Sequence, residues 1–598
     1  MLRAPRTTLF VATAIALAGC GDIFVTGSGA AGSGGTSSTG GGGSTGGTTT
    51  GGGGASAGSG GGGVTCDSSD ADGDGSSPCD GDCDDTNPFV HPGALEICAD
   101  GADEDCDGID NTGSDCNAYT IYVSQQLGNT GATGKQSDPV ASVAEGVGLA
   151  MGLGAQAAVL VAGGTYIEDL TVTGKISVVG GYAPGDWSVR DPEAHTTTIK
   201  SSVPEGVRLA GVDGEMLFDG FTIAGRAVSV GSDSSVALTI DGGGPVVSRS
   251  KIAAGAVGVG TGDSIGVLVI ADSVASATPR LWLDEITAGP SSGGAAYGIL
   301  MDAPAQYLQV AESRVSAGKG TDSVGLLVLD AANVIVWKSS FQSGTAVGTF
   351  NDPSSSLGFW AQRGTVIFDS NVVNADQLDN PPTCFTPNVW CGGVRLSTGA
   401  AVVSNNILLG SASDHSAALH LVEDDDDLAS VVVTSNTLYG SGHSAFESES
   451  AAIVLGSPRV EAGGGATLVG RIRNNILVGG FAVSNYGVRE QSTIDQTCDP
   501  AAFDHNLFFF PINNPNAGVL YQDWTGSDGV DLLNLQDLPG DGKNLLADPK
   551  LTSGHIGKDS PCRNAGTEVD APNHDRDDDL RPQENDYDIG PDELVVVN

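Results

Sequence analysis

Positive charge is scarce in this sequence. Lys and Arg together number 26 against 73 Asp and Glu, giving a formal net charge of -47 and a pI near 4.1. A chain with no basic patch cannot neutralise a phosphate backbone, which excludes a nucleic-acid partner. Long apolar runs are scarce too. The stretch Thr8–Leu17 is too short to span a bilayer, and nothing after it is a better candidate. Helical periodicity is wanting between residues 218 and 479, so a helical repeat array is excluded there. The histidines His415, His420 and His505 lack metal-ligand spacing.

What is present is a returning phrase. It reads FDGFTIAG at 218–225, VSRSKIAAG at 247–255, LWLDEITAG at 281–289, VAESRVSAG at 310–318 and VWKSSFQSG at 336–344. It returns as SNNILLG at 404–410, SNTLYG at 435–440 and RNNILVG at 473–479. The closing glycines fall about 30 residues apart, and the long interval from Gly344 to Gly410 holds a middle copy, FDSNVVNA at 368–375. Within one period, Val324–Leu329, Val334–Trp337 and the short run around Phe341 are β-branched or apolar and bounded by turn residues. Three strands and three turns per period make one coil of a parallel β-helix. A single coil cannot bury its inward face, whereas stacked coils bury a continuous interior. About ten or eleven coils at roughly 4.8 Å each give a rod on the order of 50 Å long. Asn405, Asn406, Asn436, Asn474 and Asn475 recur at one place in the period and are assigned to the turns, where Asn tolerates left-handed backbone and can bond stacked copies of itself.

From about residue 119 to 593 the chain resembles the pectate-lyase-like right-handed parallel β-helix superfamily. The opening YTIYV at 119–123, SDPVASVAEGVGLAM at 137–151 and the turn Gly164-Thr165-Tyr166-Ile167-Glu168 look like that superfamily's first strand, capping helix and first coil. LLADPKL at 545–551, DSPCRNAGT at 559–567 and DYDIGPDE at 586–593 look like its closing segment. The resemblance implies an all-β domain over 117–598 with an N-terminal capping helix.

The first 116 residues differ in kind. Arg3 and Arg6 precede the short apolar run, which ends in Leu17-Ala18-Gly19-Cys20. This resembles a bacterial lipobox and implies export, lipidation at Cys20 and anchoring to the outer membrane at the cell surface, with the lipid anchor as the membrane contact. Residues 21–63 are a disordered Gly/Ser/Thr tether. Residues 64–116 carry Cys66, Cys79, Cys83, Cys98, Cys106 and Cys116 among dense Asp, a composition that needs disulfides, a metal, or both. Six cysteines allow fifteen pairings. Cys384 with Cys391, and Cys498 with Cys562, are the expected pairs of the larger domain.

Asp70-x-Asp72-x-Asp74-Gly75 has the first half of a calcium loop, and Asp103-x-Asp105-x-Asp107-Gly108 repeats it. Asp80-x-Asp82-x-Asp84 is a third alternation, with Asp85 in the glycine position. Alternate carboxylates on a tight turn suit one hard cation, so Ca²⁺ is the expected ligand, with another divalent metal as the alternative. The twelfth loop position holds Gly81 and Ser114 where an EF-hand has Glu, and no amphipathic helices flank the loops. The stretch also resembles the metal-binding motif of the MopE type, through Asp82-Cys83-Asp84-Asp85-Thr86-Asn87-Pro88, Pro92-Gly93-Ala94 with Glu96 and Cys98, and Asp103 to Gly108. Some members of that group are associated with copper.

No catalytic residues are assigned. Asp424–Asp427, Gly442-His443-Ser444 and Arg471-Ile472-Arg473 follow the order seen in polygalacturonases, but each falls at a different phase of its coil. Arg363, Arg395, Arg471 and Arg473 are lyase-base candidates by residue type alone. The expectation is therefore a monomeric surface lipoprotein with a metal module and a non-catalytic β-helix for adhesion, or binding to extracellular polysaccharide. The alternatives are a polysaccharide lyase or glycoside hydrolase, and a surface copper-capture protein.

Overall fold

The computed structural model describes residues 76–85, 90–92, 94 and 103–108, and most of 119–594. Short stretches within the latter, such as 375–390, 423–429, 442–447, 457–468 and 492–499, are excepted. The chain divides into two compact units, Met1–Cys116 and Asn117–Asn598. Asp70, Asp72, Asp74, Cys20, Cys66, Cys98, Cys116, Cys384 and Cys498 lie outside the described residues.

The larger unit is a parallel β-helix. A 13-stranded sheet stacks the short strands of successive coils, a 23-stranded sheet holds most of the others, and Val228–Gly231 pairs with Val257–Gly260 in a sheet of two. Ser323–Trp337 shows how a coil is built. It passes through 330–333 as one bent strand rather than breaking there, because the same bend in Ala296–Ala311 pairs with it across register shifts. A left-handed residue, Lys338 (φ 46°), then turns the chain into the short strand Ser340–Gln342.

The interior is a set of aliphatic and aromatic columns. Leu326, Phe359, Val394, Leu419, Ile453, Val488 and Tyr521 lie in register, one per coil, and none is more than 1% exposed. Each contributes roughly 1.5–3 kcal/mol by leaving water. The recurring phrase is the short strand of each coil. Ile223, Ile252, Ile286, Val315 and Phe341 are its inward residues and stack in register. There are thirteen such rungs against the roughly ten or eleven coils expected, because the phrase marks only nine of them. The other four, Gly164–Ile167, Thr197–Lys200, Leu507–Phe509 and Leu545–Leu546, lack its closing glycine.

A second column is polar. Ser250, Asp284, Ser313, Ser339, Asn371, Asn406, Asn436, Asn475, Asn506 and Asn544 each offer a side-chain oxygen to a backbone N–H one coil earlier, at 2.8–3.3 Å. The Asn repeats thus split into two roles. Asn406, Asn436 and Asn475 form the buried ladder, while Asn405 and Asn474 (φ 56°) are the left-handed corner just before it.

The helix Val143–Leu153 caps one end, with Val143, Val147 and Ala150 buried against the first coils. The expected turn at 164–168 is instead the strand Gly164–Ile167, and Glu168 just after it receives the N–H groups of Val143 and Ala144 at 2.8 and 2.9 Å, satisfying two orphan donors of the helix N-terminus. At the other end the closing segment runs back along the coil corners. Arg471 and Arg473 hold Asp570 at 3.0 and 2.8 Å, Asn405 donates to the His574 carbonyl at 3.1 Å, and Lys338 pairs with Asp578.

The expected Cys498–Cys562 bridge is corrected here. Cys562 is a free thiol, fully buried among Ile476, Val478, Leu507, Ile556 and Ile589. That apolar packing pushes its pKa up to about 12 and gives the sulfur the role of a small core hydrophobe. Cys391 is disulfide-bonded, as is Cys79.

Candidate metal centre

Among the described residues of the small unit, the bond Cys83–Cys106 joins the two acidic runs, with Cα atoms 5.7 Å apart. The backbone N–H of Cys83 also points at the Cys106 sulfur, at 3.2 Å. Each cysteine stands between two carboxylates, Asp82 and Asp84 on one side and Asp105 and Asp107 on the other. The bridge therefore fastens two alternating-Asp runs together, each between its second and third Asp.

In the second run Cys106 is left-handed (φ 56°) and Gly108 has φ 93°, which curls the loop tightly. Asp103 accepts the N–H groups of Asp107 at 3.1 Å and Gly108 at 2.7 Å, and Asp105 also accepts from Asp107 at 3.2 Å. The curl brings one carboxylate oxygen from each of Asp103, Asp105 and Asp107 within 4.8 Å of the others, in a partly exposed position. The first run is arranged differently. Asp80 is exposed and receives the Ser77 hydroxyl at 2.7 Å. Asp82 is 8% exposed, and its Oδ1 takes the Asp84 N–H at 2.9 Å. Its Oδ2 is buried without a hydrogen-bond partner. The structure thus gathers Asp103, Asp105 and Asp107, and does not gather Asp80, Asp82 and Asp84 into a comparable group.

These residues fit a metal ion. The converging oxygens of Asp103, Asp105 and Asp107 are the donor type of a hard cation, and Asp82, outside that group of three, carries a buried oxygen without a donor, which is costly unless a cation or water satisfies it. Both sulfurs of Cys83 and Cys106 are committed to the disulfide, so neither offers a thiolate.

One other group of three converges among the described residues: His555, Asp577 and Asp592 in the closing segment. His555 Nδ1 lies 2.8 Å from Asp592 and 3.3 Å from Asp577, and Asp592 also receives the Ile556 N–H at 2.7 Å. The Asp-rich run 575–579 was the only sequence signal for it.

Of the residues weighed for catalysis, the arginines are otherwise engaged. Arg471 and Arg473 hold Asp570, Arg473 also holds Asp504, and Arg363 lies 3.8 Å from Asp330. The Arg395 guanidinium sits 5.0 Å from the centre of the Trp360 ring. His420 is buried, and desolvation beside Arg395 lowers its pKa to about 3, so it is neutral. Asp424–Asp427 and His443 lie outside the described residues. Among the described residues, the two Gly-x-Ser-x-Gly strings, Gly262–Gly266 and Gly289–Gly293, present no exposed nucleophile. Ser264 and Ser291 are buried and donate to the carbonyls of Gly255 and Gly262 at 3.0 and 2.8 Å.

With the geometry in view, the class is that of a β-helix chain preceded by a metal-binding motif. Residues 82–111 match the family described as "Putative metal-binding motif", the MopE copper-binding type. Among solved structures the chain is similar to the pectate lyase Pel9A, at 13% identity over 79% of this chain and 96% of that one, with a TM-score of 0.34. It is also similar to XylC in its complex with xylose, at 10% identity over 80% and 98% of the two chains, with a TM-score of 0.33. No curated protein matches the sequence.

Proposed function

We propose that this chain is an exported, lipid-anchored surface protein whose Cys/Asp-rich module binds Ca²⁺ and whose β-helix is a non-catalytic scaffold for holding polysaccharide. The observation that carries the metal half is the convergence of Asp103, Asp105 and Asp107 on a loop closed by Gly108. Oxygen-only donors on a tight turn favour a hard cation over copper. For the scaffold half, the support is the pair Trp360 and Arg395, in register on successive strands beside the inward Phe359 and Val394. Arg395 packs on Trp360, and three coils further on Arg489, which also pairs with Glu449, packs 5.0 Å from the Tyr486 ring centre. Cations beside aromatic rings along one sheet suit an acidic sugar chain. The engagement of Arg363, Arg471 and Arg473 in ion pairs counts against those three as lyase bases.

The test is metal analysis of the purified chain alongside a glycan array. The expected result is co-purifying calcium that EDTA removes, and glycan retention without an unsaturated or hydrolysed product. A released product would replace this reading with the enzyme reading. Copper retained through EDTA would replace it with surface metal capture.

A further inference from the structure

We infer that the Cys83–Cys106 bond selects the class of metal this module accepts, an inference that rests on the metal-binding reading above. The geometry gives the bond an unusual position. It lies inside both acidic runs rather than beside them, so its two sulfurs are flanked by Asp82, Asp84, Asp105 and Asp107. While it is closed, the donors on offer are carboxylate oxygens. Asp103, Asp105 and Asp107 converge, and Asp82 keeps a buried oxygen that no donor satisfies. Carboxylate oxygens of this kind are the ligands of a hard divalent cation.

Opening the bond changes two things at once. It unfastens the 82–84 run from the 103–108 loop, and so removes the covalent tie between these two acidic pieces. It also creates two thiols at positions whose Cα atoms were 5.7 Å apart, each set between carboxylates. Thiolates select soft or borderline ions such as Cu⁺, Zn²⁺ and Cd²⁺. Cys83 is exposed, so an external thiol can reach it. With a dithiol as reductant, its thiolate attacks the Cys83 sulfur and Cys106 leaves as a thiolate that takes a proton from solvent. The reductant's second thiol then displaces Cys83 and closes its own disulfide. Two electrons pass from the dithiol to the cystine. A soft ion that binds afterwards displaces the two thiol protons to solvent. Linkage makes the effect reciprocal: a hard cation bound to the closed form should retard reduction, and a soft ion bound to the open form should retard reoxidation.

The experiment uses the full chain and its Cys83→Ser/Cys106→Ser variant, each titrated with Ca²⁺ and with Cd²⁺, before and after treatment with a dithiol. The oxidised chain should bind Ca²⁺ and show no thiolate-to-cadmium charge-transfer band. After reduction its Ca²⁺ affinity should fall at least tenfold, and a charge-transfer band should appear that the double variant lacks. The variant isolates this pair from Cys79 and Cys391, which are also disulfide-bonded. An unchanged Ca²⁺ affinity after reduction, or an equal cadmium band in the variant, overturns the inference and leaves the calcium reading standing. Failure of the oxidised chain to bind Ca²⁺ at all overturns both.

Discussion

The side-chain oxygen of Asn436 accepts both the backbone N–H and the side-chain amide of Asn406, each at 2.9 Å. Asn436 in turn donates to the carbonyls of Val403 and Thr434 at 2.8 Å, and to the Asn475 side chain at 3.0 Å. Every partner is fully or nearly fully buried. Asn436→Ala therefore strands donors and acceptors that no water reaches, at a cost of about 2–4 kcal/mol. Because coils stack as nearest neighbours, the loss should be local. Amide exchange should accelerate around Asn406 and Asn436 and stay unchanged near the capping helix.

This ladder also shows what could be read from the sequence. The Asn pairs announced a repeated turn, and turn chemistry was the right explanation. Which Asn of each pair faces inward was not legible, because Asn405 and Asn406 have the same composition and differ only in backbone hand. The ladder's other members are Ser and Asp, whose shared hydrogen-bonding role becomes visible only in the stack. The bend at 330–333 read as a break, since its continuity depends on pairing with the neighbouring coil. In the small module the Asp103–Gly108 spacing was informative by itself. The bond from Cys83 to Cys106 was one of many pairings that six cysteines allow. The closing segment's reach to Arg471 and Lys338 had no local signal at all, because it depends on where the chain lies after thirteen rungs.

Asp284 is the one carboxylate in the ladder, and burial raises its pKa well above the ordinary carboxylate value. The sign follows from linkage. The folded state favours the protonated acid, so its stability contribution is present at pH below the unfolded value of about 4 and is lost as pH rises from there toward the folded value. Asp284→Asn keeps the oxygen that Ser250 needs and removes the charge. The variant should be more stable than the parent at pH 7, with a gain that shrinks as pH falls to about 4. Thermal melts across that range check it, and a variant less stable at neutral pH would contradict the assignment.

The closing glycines are required by space rather than by backbone hand. A Cβ on Gly318 would lie 2.2 Å from the Gly289 carbonyl oxygen one coil away. Within the capping helix, a Cβ on Gly146 would meet the Val123 side chain at 2.5 Å, whereas Gly148, two residues on, has open space around it. Gly318→Ala and Gly146→Ala should therefore lower the melting temperature. Gly148→Ala should raise stability by about 0.5–1 kcal/mol through helix propensity. Denaturation of the three single variants separates close approach from a general intolerance of substitution.

The measurement closest to the heart of this account is calorimetric titration of Ca²⁺ into the metal-free, oxidised chain, repeated on Asp103→Asn/Asp105→Asn. The account predicts saturable binding by the parent and at least tenfold weaker binding by the variant, with the β-sheet circular dichroism of both unchanged. A parent that takes up no calcium, or a variant that binds it equally well, would contradict the assignment of the converging carboxylates as the ion's ligands.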